Sequence, residues 1–140
     1  MRNNGKDIAA LKSAAENLRE TMSEQKFNIL IKAKELLQYT IAMTAKKNMK
    51  AYRYTVCDYM IRTAMDIVKQ IAYANSIRKG DEERLKLQSR AIVSCDVFNI
   101  YVETLHSVNA VSAHTMGVWG KKCTDVKYML MAWRKRDNNS

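Results

Sequence analysis

The segment SAHTMGVWGKKCTDVKYMLMAWRKR, Ser112 to Arg136, decides how the chain reads. As a helix it sets Trp119, Cys123, Val126, Leu130 and Trp133 at alternating steps of four and three, one narrow apolar stripe holding both tryptophans of the chain. The remainder is cationic: Lys121, Lys122, Lys127, Arg134, Lys135 and Arg136 stand against Asp125 alone. Ser112 is placed to cap the start. Gly117 and Gly120, each costing about 1 kcal/mol relative to alanine, predict a kink or break between them. A stripe this apolar needs other helices to cover it.

Upstream, Glu82 to Val108 reads as a long helix with a seam of Leu87, Ala91, Ser94, Phe98, Tyr101, Leu105 and Val108. A second apolar side carries Leu85, Ile92, Val93 and Ile100. Asn109 tolerates the left-handed conformation that ends a helix. Gly80 and Asp81 read as the stop of one helix and the cap of the next. Before them a helix from about Ala51 to Arg78 has the seam Tyr52, Val56, Met60, Thr63, Ile67, Ile71 and Ala74, with Ile61, Met65, Val68 and Ala72 on another side. Asp58, Arg62, Asp66 and Lys69 alternate in sign at helical spacing, as a solvated face does.

Residues 46–50 form a polar, basic connector. Glu24 to Ala45 reads as a helix capped by Ser23, with Ile29, Leu30, Ala33, Leu36, Leu37, Thr40, Ile41 and Met43 inward. Residues 1–22 read as a polar tail and a short amphipathic helix bearing Ile8, Leu11, Ala15, Leu18 and Met22. The expected fold is all-α: an up-down-up-down antiparallel four-helix bundle over residues 23–137, with an extra short N-terminal helix and a disordered tail at 138–140. Strict alternation puts 46–53 and 109–112 at one end, and Arg78, Lys79 and 134–136 at the other. Two helices carry more apolar surface than one bundle seam uses, so self-association is expected, with a partner protein as a second use.

The composition agrees. The chain of 140 residues has no proline and four glycines, which suits long helices and short loops. Its net charge is +10, from 24 Lys+Arg against 14 Asp+Glu, and favours a polyanionic partner, nucleic acid or an anionic membrane surface. No apolar run approaches the roughly 20 residues that cross a bilayer. The start lacks the apolar core of a signal peptide, and Cys57, Cys95 and Cys123 sit far apart among apolar neighbours, so a reducing, cytoplasmic setting is expected.

Catalysis finds little support. There is no glycine-rich phosphate loop, no HExxH and no metal-ligand spacing around His106 or His114. Asp58 and Asp66 read as ion-pair partners of Arg62 rather than metal ligands. Cys123 reads as packing rather than a nucleophile. The expectation is a non-enzyme with no cofactor, metal or small-molecule substrate. The basic groups carry the functional reading: Lys46, Lys47, Lys50 and Arg53 around the connector; Arg78 and Lys79 at the next turn; Lys121 and Lys122 along the last helix; Arg134, Lys135 and Arg136 at its end. Opposite the tryptophan stripe, Lys121, Tyr128 and Lys135 recur every seven residues, an aromatic between two lysines that either stacks on an unpaired base or packs on a neighbouring subunit.

The run Asp125-Val126-Lys127-Tyr128-Met129-Leu130-Met131-Ala132-Trp133-Arg134-Lys135 resembles the closing helix of the accessory variability determinants of diversity-generating retroelements. These are small basic four-helix proteins related to those encoded in ribosomal-RNA intervening sequences. Lys50-Ala51-Tyr52-Arg53-Tyr54-Thr55 resembles that family's basic connector, without its usual proline, and Met131 replaces one small residue of the closing motif. The likeness covers roughly residues 24–136. It implies a bacterial or phage-encoded, non-enzymatic scaffold that assembles as a homopentameric ring. Such a scaffold binds a reverse transcriptase and its template RNA, and supports mutagenic, adenine-directed cDNA synthesis. The alternative left open is a general nucleic-acid-binding or mobilisation accessory that works without a polymerase. A third class, a small helical enzyme or membrane-surface protein, lacks a supporting motif.

Overall fold

The computed structural model describes residues 4–139, with side chains described at 7–14, 16 and 28–139. These residues form α1 (Asn4–Thr44), a 3-10 helix (Lys47–Tyr52), α2 (Val56–Ser76), α3 (Glu82–Ser107) and α4 (Ala113–Asn138). α1 packs against α2 and α4, and α3 packs against the same two, so the four helices make a bundle around a shared apolar centre. Trp119, Phe98, Leu36, Met60, Ile67, Leu105 and Leu130 fill that centre and are fully buried. The turns fall where the sequence places them. Gly80 adopts φ +93°, Asn109 adopts φ 62°, Asp81 accepts from the Glu83 amide, and Ser112 accepts from the Thr115 amide.

The stripe of α4 is the best-read feature. Trp119, Cys123, Val126, Leu130 and Trp133 are all buried, with Trp119 meeting Tyr39 and Phe98 edge-on. The Trp119 indole donates to Thr40 Oγ1 at 3.1 Å, which satisfies its one polar atom in the core. α4 runs unbroken through Gly117 and Gly120. Neither glycine removes a helical hydrogen-bond donor, and packing against α1 and α3 outweighs their propensity cost.

Several readings need correction. Ser23 does not start a helix: α1 is continuous from Asn4 to Thr44. Nothing between Lys6 and Thr44 breaks a helix, and serine inside one costs only a fraction of a kcal/mol. So no separate short N-terminal helix exists. Ile8 and Leu11 on this extension are 54% and 70% exposed, while the side chains of Ala15, Leu18, Met22 and Ser23 lie outside the described residues. α2 starts at Val56 rather than Ala51, because residues 47–52 wind as a tight 3-10 turn around the buried Met49. Within α2, Cys57 and Ala64 take core positions that were assigned to Val56 and Thr63; Ile41 of α1 is exposed.

In α3 the core line is Arg84, Gln88, Ala91, Cys95, Phe98, Val102 and Leu105. Leu87, Ser94 and Tyr101 flank it, and Val108 is exposed. The inner side was disguised by a buried charge and an amide. Asp137 is buried at the end of α4, and Arg84 grips it through Nε to Oδ2 at 2.7 Å and Nη2 to Oδ1 at 3.3 Å. Gln88 Nε2 donates to the same carboxylate at 2.7 Å, and the Arg84 guanidinium lies 5.1 Å from the centre of the Trp133 ring. The tail reading for Asn138 is corrected with it, since α4 extends to that residue.

Candidate nucleic-acid interface

The connector after α1 is built to hold still. α1 ends on Thr40 and Thr44, whose hydroxyls donate back to Leu36 O and Thr40 O. Met49 is a buried plug, and Asn48 Nδ2 donates to Ala110 O at 2.9 Å, tying this connector to the turn before α4. Arg53 folds its guanidinium back to Ala45 O at 3.2 Å, a positive group on the carbonyl end of α1. Around these anchors Lys46, Lys47 and Lys50 stand exposed, and no ion pair engages them among the described residues. Tyr54 follows at 89% exposure. It was not among the site residues read from sequence, although an aromatic right after an acid-free basic run was the available signal.

At the opposite end, where Arg84 joins Ile77 O to Asp137, the neighbouring Arg78 and Lys79 and the α4 residues Arg134, Lys135 and Arg136 are mixed with acids. Asp81, Glu82 and Glu83 start α3 there. Arg134 is partly engaged, its Nε donating to Ser89 Oγ at 2.7 Å, whereas Arg78, Lys79, Lys135 and Arg136 are exposed. The Arg84–Asp137 pair lies beneath, with Arg84 Nη1 also holding Ile77 O. The two ends are therefore unlike: the connector between α1 and α2 carries bases and no acid, with Asp58 of the first turn of α2 paired to Arg62, whereas the other end mixes exposed bases with Asp81, Glu82 and Glu83.

Along α4, Lys121, Tyr128 and Lys135 are exposed, with Tyr128 at 63%. Lys121 is paired with Asp125 at 2.8 Å, one turn along. Lys127, not part of that row, pairs with Asp96 of α3 at 2.6 Å, and this bond holds the ammonium above its usual range. Lys122 turns the other way and sits 5.0 Å from the centre of the Tyr39 ring. Part of the α4 charge is thus spent within the fold.

The three cysteines are free and buried. Cys123 Sγ donates to Cys95 O at 3.2 Å; a side-chain hydrogen bond with the neighbouring Cys95 thiol and then burial raise its pKa, while burial raises that of Cys57 against the pull of Arg53. Such thiols are poor nucleophiles. His106 donates through Nδ1 to Val111 O at 3.1 Å. Among the described residues no cluster of three or more His, Cys, Asp or Glu side chains is disposed to hold a metal, and no helix is long and apolar enough to cross a membrane.

No protein-family model and no curated protein matches the sequence. A solved structure does share the fold. It is a protein of unknown function from the S23 ribosomal protein family of Bacteroides thetaiotaomicron, with a TM-score of 0.73 at 11% identity, over 79% of this chain and 98% of that one. At this identity the likeness is one of fold: the chain is a small all-helical protein with the helix packing of that structure.

Proposed function

We propose that this protein is a non-enzymatic, cytoplasmic scaffold that binds a retroelement reverse transcriptase and its template RNA in support of mutagenic, adenine-directed cDNA synthesis. The observation that carries the reading is the fixed, acid-free connector, where Lys46, Lys47 and Lys50 are exposed and without an ion pair among the described residues, beside the turn into α4. Cations held in place without counter-charges attract a phosphate backbone and release its counterions. Met65, Val93, Ile100 and Met131 are each roughly half exposed, apolar positions that a single bundle leaves uncovered. They support assembly of up-down-up-down bundles into a homo-oligomeric ring, taken as a pentamer from the family resemblance. A ring multiplies the charge of +10 per chain.

The test is co-purification of the protein with the reverse transcriptase and its template RNA, with subunit number from light scattering. The expected result is a ribonucleoprotein containing all three and a five-subunit scaffold. A monomer that captures neither RNA nor polymerase overturns the reading. Exposed Tyr128 between Lys121 and Lys135 favours a second reading, a nucleic-acid mobilisation accessory that acts without a polymerase. Normal cDNA synthesis in cells lacking this protein, together with nucleic-acid binding by the purified chain, selects that alternative.

A further inference from the structure

Two acid-free runs of the chain meet at one end of the bundle. No acid lies between Glu35 and Asp58, and none between Glu103 and Asp125. The Asn48–Ala110 hydrogen bond joins the two runs in space, and Asp58, at the border of the first, is already engaged by Arg62 at 3.2 Å. Lys46, Lys47 and Lys50 are exposed there, and no acidic side chain pairs with them among the described residues. On the turn that follows, Tyr54 is 89% exposed, and Tyr59, in the first turn of α2, is 59% exposed. Lone exposed apolar groups are ordinary. The backbone that carries Tyr54 is not, because the plug of Met49, the Asn48 and Arg53 hydrogen bonds and the Thr55 hydroxyl on Tyr52 O pin it on both sides. A ring presented on a pinned turn loses little freedom when something stacks on it.

We propose that this end is a platform for an unpaired stretch of RNA, with Tyr54 stacking on a base and Lys46, Lys47 and Lys50 holding the phosphates beside it. The platform rests on the RNA-binding part of the scaffold reading and specifies the strand form it takes. A duplex turns its base faces inward and offers Tyr54 nothing to stack on, whereas a single strand offers a face at every nucleotide. Beside Lys46 lies a cleft of mixed lining, Met43 and Val111 with Asn48, His106, Asn109 and Thr115, wide enough to take the edge of an unpaired base. The other exposed tyrosines are less well placed. Tyr128 lies beside Lys121 and Lys127, both committed to aspartates, and Tyr73 already carries Lys69 over its ring at 5.9 Å.

The experiment compares binding of a short single-stranded RNA and of an RNA duplex of the same length by the full chain, each over a salt titration. Tyr54→Ala is expected to weaken single-strand binding about tenfold and leave duplex binding unchanged, while Tyr54→Phe and Tyr54→Trp retain single-strand binding. Lys46→Gln with Lys47→Gln and Lys50→Gln is expected to flatten the salt dependence, which Tyr54→Ala leaves alone. Equal helicity of all variants is the folding control, and the Phe and Trp variants keep the comparison valid if the alanine variant melts early. If the unaltered protein binds single strands and Tyr54→Ala binds them equally well, the platform falls and the scaffold reading stands. If the unaltered protein binds neither RNA, the RNA part of that reading falls and the platform with it. If Tyr54→Ala loses only reverse-transcriptase capture, the surface docks protein and the platform is overturned.

Discussion

Arg84 and Asp137 meet inside the bundle, Nε to Oδ2 at 2.7 Å with side chains 3% and 5% exposed, and they join the first turn of α3 to the last turn of α4. Removing one partner strands a buried charge. Arg84→Met or Asp137→Ala alone is expected to cost about 3–5 kcal/mol, read from the urea midpoint. Replacing the whole cluster, Arg84→Met with Gln88→Leu and Asp137→Leu, is expected to recover most of that loss. A triple variant as unstable as either single variant refutes the stranded-charge account.

The tryptophan stripe gives a second test. Trp133 is 2% exposed and packs under the Arg84 guanidinium, so Trp133→Ala is expected to cost about 3–5 kcal/mol. Exposed Lys121 and Lys135 behave differently. Lys121→Glu with Lys135→Glu is expected to leave helicity unchanged while lowering RNA or polymerase affinity and the slope of log affinity against log salt. An unchanged melting curve in the first case, or unchanged binding in the second, refutes the role assigned.

Gly117 has open space where a Cβ would stand, and at Gly120 an added Cβ would meet Asn99 Oδ1 at an ordinary 3.6 Å. Both lie inside α4 with helical backbone, so Gly117→Ala is expected to raise stability by up to about 1 kcal/mol. Gly80→Ala is expected to lower it, since φ +93° is strained for any residue with a Cβ. Thermal melts of the two variants should move in opposite directions.

Cysteine chemistry supplies a pH test. A hydrogen bond with the Cys95 side chain and burial raise the Cys123 thiol, and burial raises that of Cys57, so both stay protonated in the folded chain when the unfolded chain ionises above pH about 8.5. Above that pH the unfolded state binds fewer protons than the folded one, and stability falls as pH rises; below it the contribution is complete. Native protein is expected to resist iodoacetamide at neutral pH and to label at three positions in urea. Rapid native labelling refutes the burial.

The helical periodicity of α4 was fully legible, because its inner positions are large and apolar and its outer ones charged. α3 was legible only in part. Ala91, Phe98 and Leu105 belong to both the expected and the observed seam, but Arg84, Gln88 and Cys95 do not advertise an inner face, and the partner that neutralises Arg84 lies at the far end of the chain in Asp137. The caps at Asp81 and Ser112 and the left-handed Asn109 followed from local chemistry. The continuity of α1 did not, since Ser23 reads the same as a cap or as an interior residue. For the interface, charge was visible in sequence, but Lys121–Asp125, Lys127–Asp96 and Arg53–Ala45 become visible only once the helices are placed.

The length of α1 has a consequence for any assembly. Its 41 residues span about 60 Å, whereas the 26 of α4 span about 40 Å. The described side chains near its start, 7–14 and 16, are all exposed, as fits a helix whose length exceeds that of its neighbours and extends past the end opposite the connector. Copies related by rotation about an axis along the bundles would send every such mast out of one side and every Tyr54 out of the other. Were the chain to close into such a ring, the ring would be a polar object with two unlike faces.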